Sequence, residues 1–100
     1  MMKKEPHHTE GIFGIAWYRK DQWDLLRIVS DKPETLEDTY EEWLINANKL
    51  KYNLERLGIT AKEVDIDIND VVIWCKGVNN IVNSKSITEY VTINLKELYK

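Results

Sequence analysis

The hydrophobic pattern begins with a short and nearly continuous apolar run at residues 11–18, Gly-Ile-Phe-Gly-Ile-Ala-Trp-Tyr. A run of this length, rich in β-branched and aromatic residues, is typical of a strand that is covered on both faces. Asp21 follows as a candidate cap for a helix whose apolar residues extend from Trp23 to Val29. We expect this helix to end near Ser30.

The strongest helical pattern follows Thr39, which forms a capping box with Glu42 three residues later. Apolar residues then recur at alternating spacings of three and four, which places them on one stripe of a helix. The stripe consists of Tyr40, Trp43, Ala47, Leu50, Leu54 and Leu57. Gly58 is a typical left-handed terminator, so the pattern predicts a helix over 40–57 that faces the core.

The second half of the chain predicts one more strand and two more helices. Val64, Ile66 and Ile68 alternate with Asp65 and Asp67, a pattern that indicates a half-buried strand, which we place at 62–66. Asp67 or Asn69 can cap a third helix, which places Cys75 on its apolar face, and Ser86 with Glu89 offers a capping box for a fourth.

The predicted fold is therefore α+β, in the order β-α-α-β-α-α, with a small two-stranded sheet packed against about four helices. If the two helices between the strands form an antiparallel hairpin, the second strand returns antiparallel to the first. Residues 1–10 contain Pro6 and no apolar residue after Met2, so they predict a disordered leader before a single domain at 11–100. An isolated pair of strands is marginally stable in water, so the sheet needs support from helices or from a second subunit.

Composition narrows the class of protein. Of the 100 residues 43% are hydrophobic, which suffices for one core, and the net charge of -3 argues against a general polyanion binder. No stretch reaches the roughly 18 apolar residues of a membrane span, so no membrane association is expected. The single cysteine cannot form an internal disulfide, which favours a cytoplasmic location.

Several short motifs together resemble a known group of proteins. They are Trp17-Tyr18-Arg19, the Thr39–Leu44 segment Thr-Tyr-Glu-Glu-Trp-Leu, Gly58, the predicted strand Val64–Asp67, and Trp74-Cys75. This combination resembles a family of short, uncharacterised bacterial proteins of unknown function, over roughly residues 15–78. The resemblance implies a bacterial cytoplasmic protein with one compact α+β domain, and it implies no activity or ligand.

Candidate catalytic and metal-binding residues are explained better by structural roles. Asp65, Asp67 and Asn69 have the spacing of a calcium loop, but Asp70 stands where such a loop needs glycine. Cys75 has no nearby base, since the two histidines lie in the predicted leader, so core packing is the favoured role. We expect no cofactor, no metal and no catalytic centre.

The cluster with the clearest potential for binding comprises Trp17, Tyr18, Arg19, Lys20 and Trp23. Aromatic rings beside cationic groups are typical of stacking and peptide recognition, although core packing of the rings is the favoured alternative.

The sequence thus predicts a small non-catalytic protein-interaction or regulatory module, whose partner is a second copy of the chain in a homodimer or another protein. One alternative is a nucleic-acid or small-ligand binder that uses Trp17 to Lys20, although nucleic acid is disfavoured by the charge. Another is a small enzyme with Asp65 and Asp67 in a cleft.

Overall fold

A computed structural model describes residues 11–98 of the chain, so the predicted leader at 1–10 lies outside the described residues. The fold is α+β, as the sequence predicts, with two strands and four α-helices in this part of the chain. The elements are β1 (Ile12–Trp17), α1 (Trp23–Val29), α2 (Tyr40–Arg56), β2 (Thr60–Asp65), α3 (Ile68–Gly77) and α4 (Ser84–Leu98). Short 3-10 turns at Lys20–Gln22 and Pro33–Thr35 join the first elements. None of the helices within 11–98 has the length and apolarity needed to cross a membrane.

The two strands are parallel, so the expectation of an antiparallel pair is wrong. Their register extends from Ile12 opposite Thr60 to Trp17 opposite Asp65. The reason lies in helix length: α1 has 7 residues and α2 has 17, or about 10 and 25 Å. The long α2 alone returns the chain to the start of β1, and β2 then runs in the same direction. The second strand also begins two residues earlier than the predicted 62–66.

The sheet lies between two helices. Trp17 on β1 contacts Trp43 of α2, and Glu63 on β2 pairs with Lys51 of α2, so odd-numbered strand residues face α2. Even-numbered residues face α4, where a Cβ built on Gly14 would approach Val91 Cγ1 to 2.9 Å and Leu95 Cδ2 to 3.3 Å. Glycine at this position therefore allows α4 to pack directly on the strand.

Helix α2 confirms the predicted cap and terminator, but only part of its stripe is buried. The Glu42 N–H donates to Thr39 Oγ1 at 3.1 Å, and Gly58 adopts the predicted left-handed conformation with φ of 84°. Trp43 and Ala47 lie in the core, as predicted. Leu50 and Leu57, however, are 42% and 75% exposed. The stripe therefore faces the core mainly over the first half of the helix.

The caps of α1 and α3 show one wrong and one confirmed prediction. Asp21 lies inside the 3-10 turn, and α1 begins at Trp23 without a side-chain cap, so the predicted role of Asp21 is wrong. Asp67 does cap α3, since its Oδ1 accepts from the Asn69 N–H at 2.9 Å. Cys75 on this helix is only 1% exposed, which confirms its predicted place in the core.

Helix α4 begins at Ser84 rather than after the predicted cap Ser86. Asn83 and Ser86 cap each other: the Ser86 N–H donates to Asn83 Oδ1 at 2.9 Å, and the Asn83 N–H donates to Ser86 Oγ at 3.0 Å. Ser86 also donates to the Ile81 carbonyl at 2.7 Å from a buried position. This extra bond holds Ser86 in the first turn of α4, so Asn83 takes the position of the cap.

Candidate functional site

The aromatic side chains of the predicted binding segment belong to a cluster of five rings centred on Trp43. We call it the aromatic cluster, formed by Trp17, Tyr18, Trp23, Tyr40 and Trp43. Ring centroids lie 5.2 to 5.9 Å from that of Trp43, with the tilted and edge-on geometries that aromatic pairs prefer. The cluster joins β1 to α1 and α2, so its first role is to stabilise the fold.

The five residues of the predicted binding segment differ in how far their side chains are exposed. Tyr18 and Trp23 are buried, at 8% and 3% exposure, so neither ring face is accessible for stacking on a ligand. Trp17 is half-buried, and its ring lies under the ammonium group of Lys51 at 6.0 Å. Arg19 and Lys20 remain exposed. The five residues are close in space, but they do not form one continuous accessible surface.

Both exposed cations of the segment are paired with carboxylates. Arg19 donates from Nε and Nη2 to Asp65 at 3.2 and 3.3 Å, and the hydrogen bond to Asp65 raises its pKa further. Lys20 lies 2.8 Å from Glu41, and this hydrogen bond raises the lysine pKa and lowers the carboxyl pKa. Each positive charge is therefore compensated locally, which weakens the attraction for phosphates that nucleic-acid binding requires.

The two aspartates of the enzyme alternative have separate structural roles. Asp65 pairs with Arg19 and lines a shallow surface depression beside Glu63. Asp67 caps α3 and lies 4.0 Å from the Arg19 guanidinium. Ion pairing and capping account for both carboxylates without a catalytic role.

A different surface of the molecule is better suited to binding a partner. It is the outer edge of β1, where backbone N–H and C=O groups have no strand partner within residues 11–98. The carbonyl groups of Gly11 and Trp17 accept from Thr60 and Ile66, so odd-numbered residues of β1 direct their backbone groups toward β2. Successive residues of a strand point to opposite sides, so Ile12, Gly14 and Ala16 direct theirs outward. Within residues 11–98, β1 pairs with β2 alone. These three residues therefore present a row of backbone donors and acceptors without strand partners.

This edge forms the floor of an open groove of about 410 Å³, which we call the β1 groove. One wall is α4 and the other is Leu50 of α2, so the groove occupies the place that a third strand of the sheet would take. The side chains that line it are Ile12, Phe13, Ile15, Ala16, Leu50, Ile87, Thr88, Val91, Thr92, Leu95 and Lys96. Phe13 and Leu50 are 46% and 42% exposed, so large apolar surface borders the unpaired backbone groups.

No family model, curated protein or solved structure matches this chain. What the β1 groove binds is therefore inferred from its own chemistry.

The two outer edges of the sheet differ in charge. Along β2, exposed Lys62, Glu63 and Asp65 provide the charged side chains that discourage an edge strand from pairing with other chains. Along β1, residues 12–17 contain no charge and no proline. Only β1 therefore lacks both of these protections, which makes it the sheet edge open to a partner strand.

The sequence patterns pointed to Trp17 to Trp23 and missed the β1 groove. Hydrophobic periodicity shows which faces of a strand are buried, but the free edge depends on strand order, which the pattern does not contain. The contrast between an uncharged first strand and a charged second strand was the available signal. It favours the first strand as the open edge once a two-stranded sheet is assumed.

Proposed function

We propose that this protein is a non-catalytic interaction module that binds an extended polypeptide strand in the β1 groove. The observation that supports this function is the unpaired row of backbone groups at Ile12, Gly14 and Ala16, bordered by exposed apolar side chains. Strand addition at an open edge uses main-chain hydrogen bonds for affinity and adjacent pockets for specificity. A cytoplasmic location and a bacterial origin remain part of this proposal.

The chemistry of the groove favours a polypeptide over the two alternatives from the sequence. Of residues 11–98, Lys96 is the one charged residue that lines the groove, so the groove offers little attraction for a nucleic-acid backbone. A small ligand would have to form hydrogen bonds with the backbone groups of three alternate residues along a strand. An extended peptide matches that spacing because its own donors and acceptors repeat at the same interval.

Site-specific photo-crosslinking in cells tests this function. A photoreactive phenylalanine analogue replaces Phe13, whose ring borders the groove and is partly exposed. The matched control places the same analogue at Ile45, which is 56% exposed on α2 and does not line the groove. We expect a crosslinked protein product from position 13 and none from position 45. Equal products from both positions, or no product from either, would contradict the proposal.

A further inference from the structure

We propose that the strand bound in the β1 groove is β1 of a second copy of this chain, paired antiparallel about a twofold axis through Gly14. This inference rests on the proposed function, because it uses the same open edge, and it names the partner. The two copies would join into one continuous four-stranded sheet in the order β2-β1-β1-β2. Each copy would supply both the groove and the strand that fills it.

The first support is the symmetry of the open edge. Its outward-facing residues, Ile12, Gly14 and Ala16, are spaced evenly on either side of Gly14. A twofold axis at Gly14 therefore sets Gly14 opposite its copy and Ile12 opposite Ala16 of the copy. Each of the three residues then forms a hydrogen-bonded pair with the residue opposite, and each pair shares two backbone hydrogen bonds. The two strands are therefore joined by about six bonds. In this register the edge is fully complementary to itself.

The second support is the absence of charge repulsion along the paired strands. β1 contains no charged side chain, so two copies can lie 4.7–4.9 Å apart, the usual strand spacing, without bringing like charges together. β2 instead carries Lys62, Glu63 and Asp65, charged side chains of the kind that discourage edge strands from pairing. In the described part of the groove, an acidic or basic peptide would meet a single charged side chain, that of Lys96. The groove chemistry therefore favours an uncharged apolar strand, and β1 is such a strand.

The third support is the row of α4 residues beside the groove, Thr88, Thr92 and Lys96. Gly14 lies level with Val91 and Leu95, so the axis passes near Thr92. A twofold axis reverses the second α4, which sets each Lys96 near Thr88 of the copy and away from the other Lys96. The Thr88 and Thr92 hydroxyls already donate to the Ser84 and Thr88 carbonyls, at 2.8 and 2.9 Å. Covering this row therefore leaves no hydroxyl donor without a partner.

The size of the β1 groove indicates how tightly two copies should bind each other. About a dozen residues of each copy line the β1 groove, whereas a standard interface uses roughly 20–30 residues a side. We therefore expect a reversible dimer with a dissociation constant in the range of about 1–100 μM, rather than a permanent one.

Light scattering behind a sizing column tests self-association of the full chain, from about 1 μM to about 500 μM, which brackets that range. We expect the mass to rise from 11.8 kDa toward twice that value. Thr92→Lys adds one positive charge per copy, so two like charges meet near the axis. Within residues 11–98 the groove otherwise holds a single charged side chain, Lys96, so we expect dimerisation to weaken at least about tenfold. Asn48→Lys adds the same charge at an exposed position of α2 outside the groove and should leave the mass curve unchanged. A monomer at every concentration, or equal curves for both variants, would overturn the proposal.

Disulfide trapping tests the register. In this pairing Phe13 lies opposite Ile15 of the copy as a closely spaced pair, so Phe13→Cys chains mixed with Ile15→Cys chains should form a mixed disulfide. Phe13→Cys chains alone should crosslink far less, and Cys75 is too buried to compete. If Ile15→Cys fails to fold, Ile12→Cys with Ala16→Cys tests the same register. A dimer without the mixed disulfide would overturn β1 pairing.

The outcomes separate this inference from the function on which it rests. A monomeric protein that still crosslinks from position 13 to a different protein would refute self-pairing and retain strand binding. A monomeric protein with no crosslink from position 13 would refute both.

Discussion

At the residue scale, Trp43 is the centre of the aromatic cluster. It contacts the other four rings of the aromatic cluster and is 8% exposed, although it directly follows the exposed Glu41 and Glu42 in the first turn of α2. Its ring connects β1, α1 and α2 in one contact network.

Replacing Trp43 by alanine should therefore lower the free energy of unfolding by about 3–5 kcal/mol, because a large buried ring is lost and the cluster cannot close over the cavity. Urea denaturation measures the loss. Ile45→Ala, at an exposed position of the same helix, is the control and should change stability by less than about 0.5 kcal/mol. Similar losses for the two variants would show that the ring cluster contributes little.

At the element scale, helix caps determine where α2, α3 and α4 begin. Each of these helices starts after a residue whose side chain accepts from a free N–H of the first turn: Thr39, Asp67 and Asn83. The third cap is reciprocal, since the Ser86 hydroxyl accepts from the Asn83 N–H while its own N–H donates to Asn83.

Asn83→Ala should lower the free energy of unfolding by about 1 kcal/mol, the usual effect of losing an N-cap. The first turn of α4 should also exchange its amide hydrogens faster, which mass spectrometry of deuterated peptides detects. Asn48→Ala is the control, because Asn48 is exposed in the middle of α2, where alanine is the better helix former. Unchanged stability of Asn83→Ala together with unchanged exchange would argue against the cap.

These caps also show which parts of the fold could be predicted from the sequence. Thr39 and Asp67 could be predicted because capping depends on residues within one turn. The start of α4 could not, since Asn83, Ser84 and Ser86 all suit a cap and the choice depends on the bond from Ser86 to Ile81, which comes from the folded loop. Strand direction was missed for the same reason. It follows from the path of α2 across the sheet, whereas the elements themselves follow from local periodicity.

The candidate site was less predictable than the fold. The aromatic and cationic side chains of Trp17 and Arg19 suggested a binding site. In the structure, however, the Trp17 ring lies under the Lys51 ammonium group and Arg19 donates to Asp65. The groove instead depends on backbone groups of Ile12, Gly14 and Ala16, which have no signature in side-chain chemistry. Only a known strand order shows that these groups lack partners.

At the scale of the whole molecule, burial of Tyr18 makes the free energy of unfolding decrease as the pH rises in the alkaline range. Burial, with a smaller contribution from Glu37, raises the pKa of its hydroxyl well above the usual value. In the unfolded chain the same hydroxyl ionises near its usual pKa of about 10. Because the folded pKa is the higher one, its contribution to stability is complete below about pH 10 and decreases above it.

We expect the free energy of unfolding to fall above about pH 10, by up to about 1.4 kcal/mol per pH unit from Tyr18 alone. Lys20 and Lys51 add to this loss, since carboxylate partners raise their pKa values as well. Urea denaturation at several pH values measures the slope, and Tyr18→Phe isolates the tyrosine because it removes the ionising group and keeps the ring. A Tyr18→Phe slope as steep as that of the wild type would contradict the assignment.

The parallel pairing of β1 with β2 also has a consequence for synthesis of the chain. Ile12 pairs with Thr60, 48 residues later, so β1 leaves the ribosome long before its partner strand exists. At typical bacterial and eukaryotic translation rates the wait is roughly 2–10 s. During that interval both edges of an uncharged apolar strand are open to neighbouring nascent chains. Slow codons between the two strands should therefore increase aggregation of newly made protein, whereas slow codons after residue 65 should not.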